Sequence, residues 1–174
     1  LMVELQKTSS GAFTYRTAFN FRRASAYIAN QLNTNPVDPR RGRLFALEGG
    51  TVVGVEQGAD NDSAPPAISS LGPGLVVDNS QDGYMMLLSE SLLLQAEAAH
   101  KGYLAGDAQS LFDAAITASF AQLGATGAAG YIGSVNVVPG KGYGAGTPDQ
   151  QLEAIFYQKS IALNGIHGAE IFKK

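Results

Sequence analysis

The sequence predicts a mostly α protein, built from antiparallel helix pairs with one β-hairpin and long loops rich in glycine and proline. Three observations carry that class. Apolar residues recur at helical spacing in several separate windows. A Gly49-Gly50 pair divides two β-rich runs. Residues 59–80 are crowded with Gly, Pro, Asp, Asn and Ser, and eight glycines fall within 124–147. Such stretches are costly to order and read as loops.

The first helix is expected over residues 20–33, "NFRRASAYIANQLN", with Asn20 as its cap and Phe21, Ala24, Ile28 and Leu32 on one face. It must stop before Pro36, because the residue ahead of a proline is driven out of the helical region. In "RLFALEGGTVVGVEQG" the spacing predicts strands at about 43–48 and 51–57 around Gly49-Gly50. Two adjacent glycines both accept the positive φ of a type I′ turn. The next helix is expected over 83–101. Tyr84, Leu87, Leu88, Ser91, Leu94, Gln95 and Ala98 line one face, and Leu92 and Leu93 add apolar surface elsewhere. Gly102 follows as a stop.

Asp107 is a good cap for a further helix to Leu123, with Phe112, Ile116 and Phe120 as its stripe. The link between these two helices is so short that they must pack antiparallel. Within 124–147, "YIGSVNVV" reads as a short strand at most. Thr147, Pro148 and Gln150 form a capping box with proline at the first helical position. That helix buries Leu152, Ile155, Phe156 and Leu163 and ends at Asn164-Gly165; a last one begins near Gly168.

The bulk properties narrow the function. The chain has 174 residues, 45% of them hydrophobic, enough for one core and read as a single domain over 1–174. A formal charge of -3 and no block of Lys or Arg argue against nucleic acid. "DPRRGR" at 38–43 reads as a solvated turn with ion pairs. With no cysteine there is no thiol chemistry, disulfide or cysteine metal site in this chain. The start has no signal-peptide pattern, and no apolar run nears the roughly 20 residues of a membrane span. The chain starts at Leu1 and stops at Lys174 in helical sequence, which suggests a piece of a longer protein.

Tests for chemistry fail in turn. "GKG" at 140–142 has Val135 where a phosphate-binding loop needs glycine and Gly142 where it needs Ser or Thr. "GYGAG" at 142–146 is no dinucleotide fingerprint, and no nucleophile elbow is present. His100 and His167, the only histidines, share no metal-ligand spacing, and "DNDS" at 60–63 lacks the spacing of a calcium loop. No cofactor is expected. Glu97 sits four residues ahead of Lys101 on an alanine-rich helix, the favourable orientation for a helical ion pair. It reads as part of a frame in which Ala96, Ala98 and Ala99 let a second helix come close.

Taken in order, several stretches resemble the C-terminal part of a SusD/RagB-type outer-membrane nutrient-binding lipoprotein. They are "FRRASAYIANQL" leading to "DPRRGRLF", then "VGVEQG", then "LLSESLLLQAEAAHKGYLAGDAQSLFDAAITASF", then "IFYQKSIALNGIHGAEIF". The signatures are the DPR turn at 38–40, Ala96-Glu97-Ala98 with Gly102 behind it, and Gln158-Lys159 with Ala162-Leu163. The resemblance implies a tetratricopeptide-like helical scaffold and a non-enzymatic role. Such proteins sit on the outer face of the outer membrane by a lipid anchor, which this chain lacks. They bind a glycan or other nutrient and pass it to a TonB-dependent, SusC-like transporter. Glycans are commonly gripped by aromatic faces on loops, which makes Tyr143 and Tyr131 the candidate ligand-binding residues. The other reading is a helical scaffold that docks a protein and has no ligand site of its own.

Overall fold

The computed structural model describes residues 5–7, 10, 13–15, 22–58, 67–77, 81 and 83–167. The chain divides into two compact units, Leu1–Gly83 and Tyr84–Lys174. It is mostly helical, as expected.

In the first unit, β1 (Leu5–Lys7) pairs antiparallel with β2 (Phe13–Tyr15), Leu5 opposite Tyr15. These strands were not anticipated. Helix α1 covers Ala26–Asn33, and Asn20, its expected cap, lies outside the described residues. Ser25 caps it instead, its hydroxyl accepting from the Ile28 N–H. The later start has a tertiary cause. The Ala24 N–H donates to Ser69 O at 2.9 Å, and the Ala24 carbonyl accepts from the Val55 N–H at 3.0 Å. Backbone groups spent on neighbours to both sides cannot join a helical ladder. Ala24, Ile28 and Leu32 of the expected stripe are buried, with Ala29 beside them, and Phe21 lies outside the described residues.

The "DPRRGR" segment is where the structure departs most from expectation. Asp38 and Arg40 are both fully buried and form an ion pair at 2.6 Å. The Asp38 carboxylate also accepts from the Arg40 backbone N–H at 2.9 Å and from Nε at 3.0 Å. This side-chain-to-backbone closure turns the chain, and Arg41–Leu44 follow as a single helical turn, α2, in place of the start of a strand. Phe45 then bridges Leu71, and the Ala46 N–H donates to Ser70 O. The tight turn at Gly49-Gly50 is as expected, with φ of 58° and 83° and reciprocal Glu48–Thr51 bonds. The flanking residues, however, pair with Ser69–Leu71 and Ser25 in preference to each other. Asn33 fastens the end of α1 to this layer, its amide bonding both the N–H and the carbonyl of Val52.

The second unit is α3 (Leu88–His100), α4 (Ala108–Leu123), α5 (Ala128–Val135) and α6 (Pro148–Ala162). Helix α3 starts at Leu88 and not at 83, entered through an extended Leu87. The short link folds α4 back against α3, and α6 packs on both. Fully buried Ala96, Ala115 and Ala154 stand one on each helix, where small side chains permit close approach. Phe112, Ile116, Phe120 and Ile155 fill the space between. Asp107 caps α4 by accepting from the N–H groups of Gln109 and Ser110, and the Ser110 hydroxyl bond holds its carboxyl below the usual range. The capping box of Thr147 and Gln150 is present at α6. The last expected helix lies outside the described residues.

Helix α5 replaces the expected strand in "YIGSVNVV". Tyr131 and Val135 point into the core, with Ala128 and Ile132 packed partly against it. That is helical spacing. Gly130 and Gly133 lie over open space, so each costs only its poor helix propensity, about 1 kcal/mol. The apolar face outweighs that.

Removing the Asp38 carboxylate takes from the buried Arg40 guanidinium the partner it meets at 2.6 Å. Asp38→Ala is expected to lower the unfolding free energy by about 3–5 kcal/mol in urea titrations. Adding Arg40→Met to it should recover part of the loss, and a double variant no more stable than the single one would contradict this reading.

Candidate ligand-binding site

The two tyrosines singled out from the sequence have different surroundings. Tyr131 lies in the core at 4% exposure, its ring 5.7 Å from that of Phe120 and its hydroxyl accepting from Gln158 Nε2. In this arrangement it offers no face to a ligand. Tyr143 is half-buried in the segment before α6. Its ring meets His100 edge-on at 5.7 Å and Phe112 at 5.8 Å. Its hydroxyl is hydrogen-bonded to His100 Nδ1 at 2.8 Å. The Tyr143 N–H donates to Asn136 Oδ1, and its carbonyl accepts from Gln151 Nε2. Burial pushes the Tyr143 hydroxyl above its ordinary value, and the Asp107 carboxylate adds to this.

Glu97 accepts from Lys101 Nζ at 2.6 Å, and that bond raises the Lys101 pKa. It is one end of a helix-surface ion pair. His167 contacts Glu90 and the Tyr84 carbonyl, so it too serves the frame. Among the described residues, no group of His, Asp or Glu is placed to hold a metal ion.

The first unit carries an open groove of about 340 Å³, lined by Ser25, Ala26, Tyr27, Asn30, Glu56 and Gln57. Its walls are the first turns of α1 and the segment after Val55. Tyr27 and Asn30 are three apart on α1, hence on one face, turned away from the buried Ile28 and Leu32. The opposite wall is fixed by backbone pairing: the Ala26 N–H donates to Val55 O at 2.8 Å, and Ser25 and Val55 form a parallel bridge. Gly54 permits that approach, since a Cβ there would strike the Ser25 carbonyl.

Tyr27 is 69% exposed. Among the described residues, no hydrogen bond or ion pair engages the side chains of Tyr27, Asn30, Glu56 or Gln57. The groove was not found from the sequence, though a signal existed. Tyr27 is a large aromatic residue off the apolar stripe of an amphipathic helix, where packing gives no reason for one. Glu56 and Gln57 left no such trace, because only long-range pairing brings them to α1.

One carboxylate with no second acid and no histidine among its lining residues equips the groove for contact and hydrogen bonding, the work of a binding protein. The sequence profile of the SusD-like family described as "Starch-binding associating with outer membrane" matches residues 3–169, and the chain belongs to that family, one of binding proteins and not enzymes. A chitin-binding SusD homologue from Flavobacterium johnsoniae superposes with a TM-score of 0.67 at 26% identity, over 95% of this chain and 41% of its own. A SusD-like protein from Bacteroides thetaiotaomicron gives 0.56 at 25% identity, over 76% and 33%. A SusD homologue from the same species gives 0.62 at 23% identity, over 94% and 40%, and supports the fold alone. The chain thus spans about a third to two fifths of the length of these solved relatives. No curated protein matches it.

The half-buried Tyr143 hydroxyl makes an alkaline prediction. As pH rises past the ordinary tyrosine value of 10.0, the unfolded chain releases this proton before the folded one does. Stability present below that pH is therefore lost above it. Urea unfolding of the wild type should show the decline, and Tyr143→Phe should show a shallower one; identical slopes would contradict the assignment.

Proposed function

We propose that this chain belongs to a protein that captures a glycan at the outer-membrane surface without altering it and delivers it to a SusC-like, TonB-dependent transporter. In this reading the protein is held to the outer face by a lipid anchor beyond the chain, and no described helix is long and apolar enough to cross a membrane. The observation that carries it is the family match over residues 3–169, together with the name of the 26%-identical relative as chitin-binding. The groove adds a physical means. An exposed tyrosine ring gives a sugar a rigid apolar platform at low entropic cost, and free amides and a carboxylate meet its hydroxyls. The volume of about 340 Å³ lies at the small end of ligand sites, suited to a short stretch of a chain held from one side.

A protein-docking scaffold is the second reading. It is favoured by Met85 at 97% exposure beside exposed Met86 and Leu88.

Calorimetric titration with chitin and starch oligosaccharides separates the two. Glycan capture predicts saturable binding with no shortened products on chromatography. It also predicts a loss of about 0.5–1.5 kcal/mol in Tyr27→Ala. Tyr143→Ala is measured beside it: near-normal affinity there keeps the platform in the groove, and the reverse pattern moves it to the glycine-rich segment. Failure of every glycan to bind at millimolar concentration favours the docking reading.

A further inference from the structure

We infer that the groove beside α1 admits uncharged glycans and turns away acidic ones, with Glu56 as the discriminating residue and Tyr27 as the platform. The inference rests on the glycan-binding reading and adds to it a site and a ligand class. Among the described lining residues, Glu56 is the only ionisable group of either sign apart from the Tyr27 phenol. No Lys or Arg among the described residues lines the groove. Arg23, close by in sequence, turns its guanidinium to the Arg22 carbonyl. A uronate carboxylate or a sulfate entering the groove therefore meets a like charge, with no cation among the described lining residues to answer it. At about 4 Å in a water-exposed site that repulsion is close to a fivefold loss of affinity, and salt weakens it.

The same carboxylate has the opposite effect on a neutral sugar. Adjacent hydroxyls donate to its two oxygens, and hydrogen bonds to an ionised acceptor are stronger than those to a neutral one. Asn30 and Gln57 present both amide donors and carbonyl acceptors, so they tolerate a hydroxyl in either role. Because these side chains are engaged by no partner among the described residues, binding breaks no internal bond of the fold. The backbone behind them is already set. Val55 is bonded on one side to Ala24 O and on the other to the Ala26 N–H, so Glu56 and Gln57 leave a fixed strand edge facing α1.

The test uses the whole chain and three probes: a neutral chitin oligosaccharide, its deacetylated amine form, and an oligogalacturonate of equal length. Wild type should bind the neutral oligomer at least about fivefold tighter than the uronate at low salt, with the gap closing as salt rises. The amine form should bind at least as well as the neutral one. Glu56→Gln should shrink the neutral-to-uronate ratio toward unity, and Tyr27→Ala should weaken both. Unchanged urea midpoints in these variants of exposed residues exclude misfolding as the cause. If glycans bind but neither variant changes affinity or selectivity, the groove assignment is overturned while glycan capture stands. If the wild type prefers the uronate, the ligand class is wrong. If no probe binds, and starch oligomers also fail, both readings fall together.

Discussion

The first unit depends on two charged side chains that water never reaches. Asp38 and Arg40 pair with each other and, through the Arg40 N–H, close the turn that starts α2. From that turn the consequences pass outward by backbone pairing. Phe45 and Ala46 are delivered to Ser70 and Leu71. Ser69, fully buried, accepts from the Ala24 N–H with its carbonyl, donates to Val53 O with its own N–H, and accepts from the Val53 N–H with its hydroxyl. Val53 leads to Val55, and Val55 to the wall of the groove. A desolvated ion pair contributes little net stability compared with apolar side chains of the same shape, but it tolerates few alternative arrangements. Here that pair lies at the start of the pairing that fixes where the groove stands.

What the sequence made legible follows from the range of the forces involved. The start of α4 at Asp107, the capping box at α6 and the glycine turn at 49–50 were readable because donor, acceptor and backbone preference lie within four residues of each other. The start of α1 was misplaced because Ser69 and Val55, far off in the chain, claim the backbone of Ala24. Helix α2 was missed because the "DPRRGR" charges suggested solvent, and nothing local says that Arg40 is enclosed. Helix α5 was hidden by its glycines, which mask an apolar spacing of three and four. The candidate site was the least legible part. Of its lining residues, Tyr27 alone carries a local anomaly.

The short signatures of the family resemblance, at 38–40, 96–98 and 158–163, belong to the frame, while the stretches 21–32 and 53–58 also contain the groove residues. The DPR turn holds the buried pair, and Ala96 lies at the contact of α3 with its neighbours. Gln158 is buried with its amide donating to the Lys141 carbonyl. Such residues are tied by packing and internal hydrogen bonds, whatever the protein binds. In the groove, Ser25 and Ala26 are tied to the frame by the cap and by pairing with Val55, whereas the side chains of Tyr27, Asn30, Glu56 and Gln57 have no such ties among the described residues.

The glycine-rich segment before α6 is held in an unusual manner. Asn136 accepts from the Tyr143 N–H, Gln151 donates to the Tyr143 carbonyl, and Gln158 donates to the Lys141 carbonyl. All three grip the main chain, which belongs to every amino acid alike. The segment's own glycines supply the rest of its path: a Cβ at Gly142 would strike the Val135 carbonyl, one at Gly144 would crowd the Asn136 carbonyl, and Gly146 holds a φ of 94°, so side chains can be exchanged at Ala145 more readily than at the glycines on either side of it.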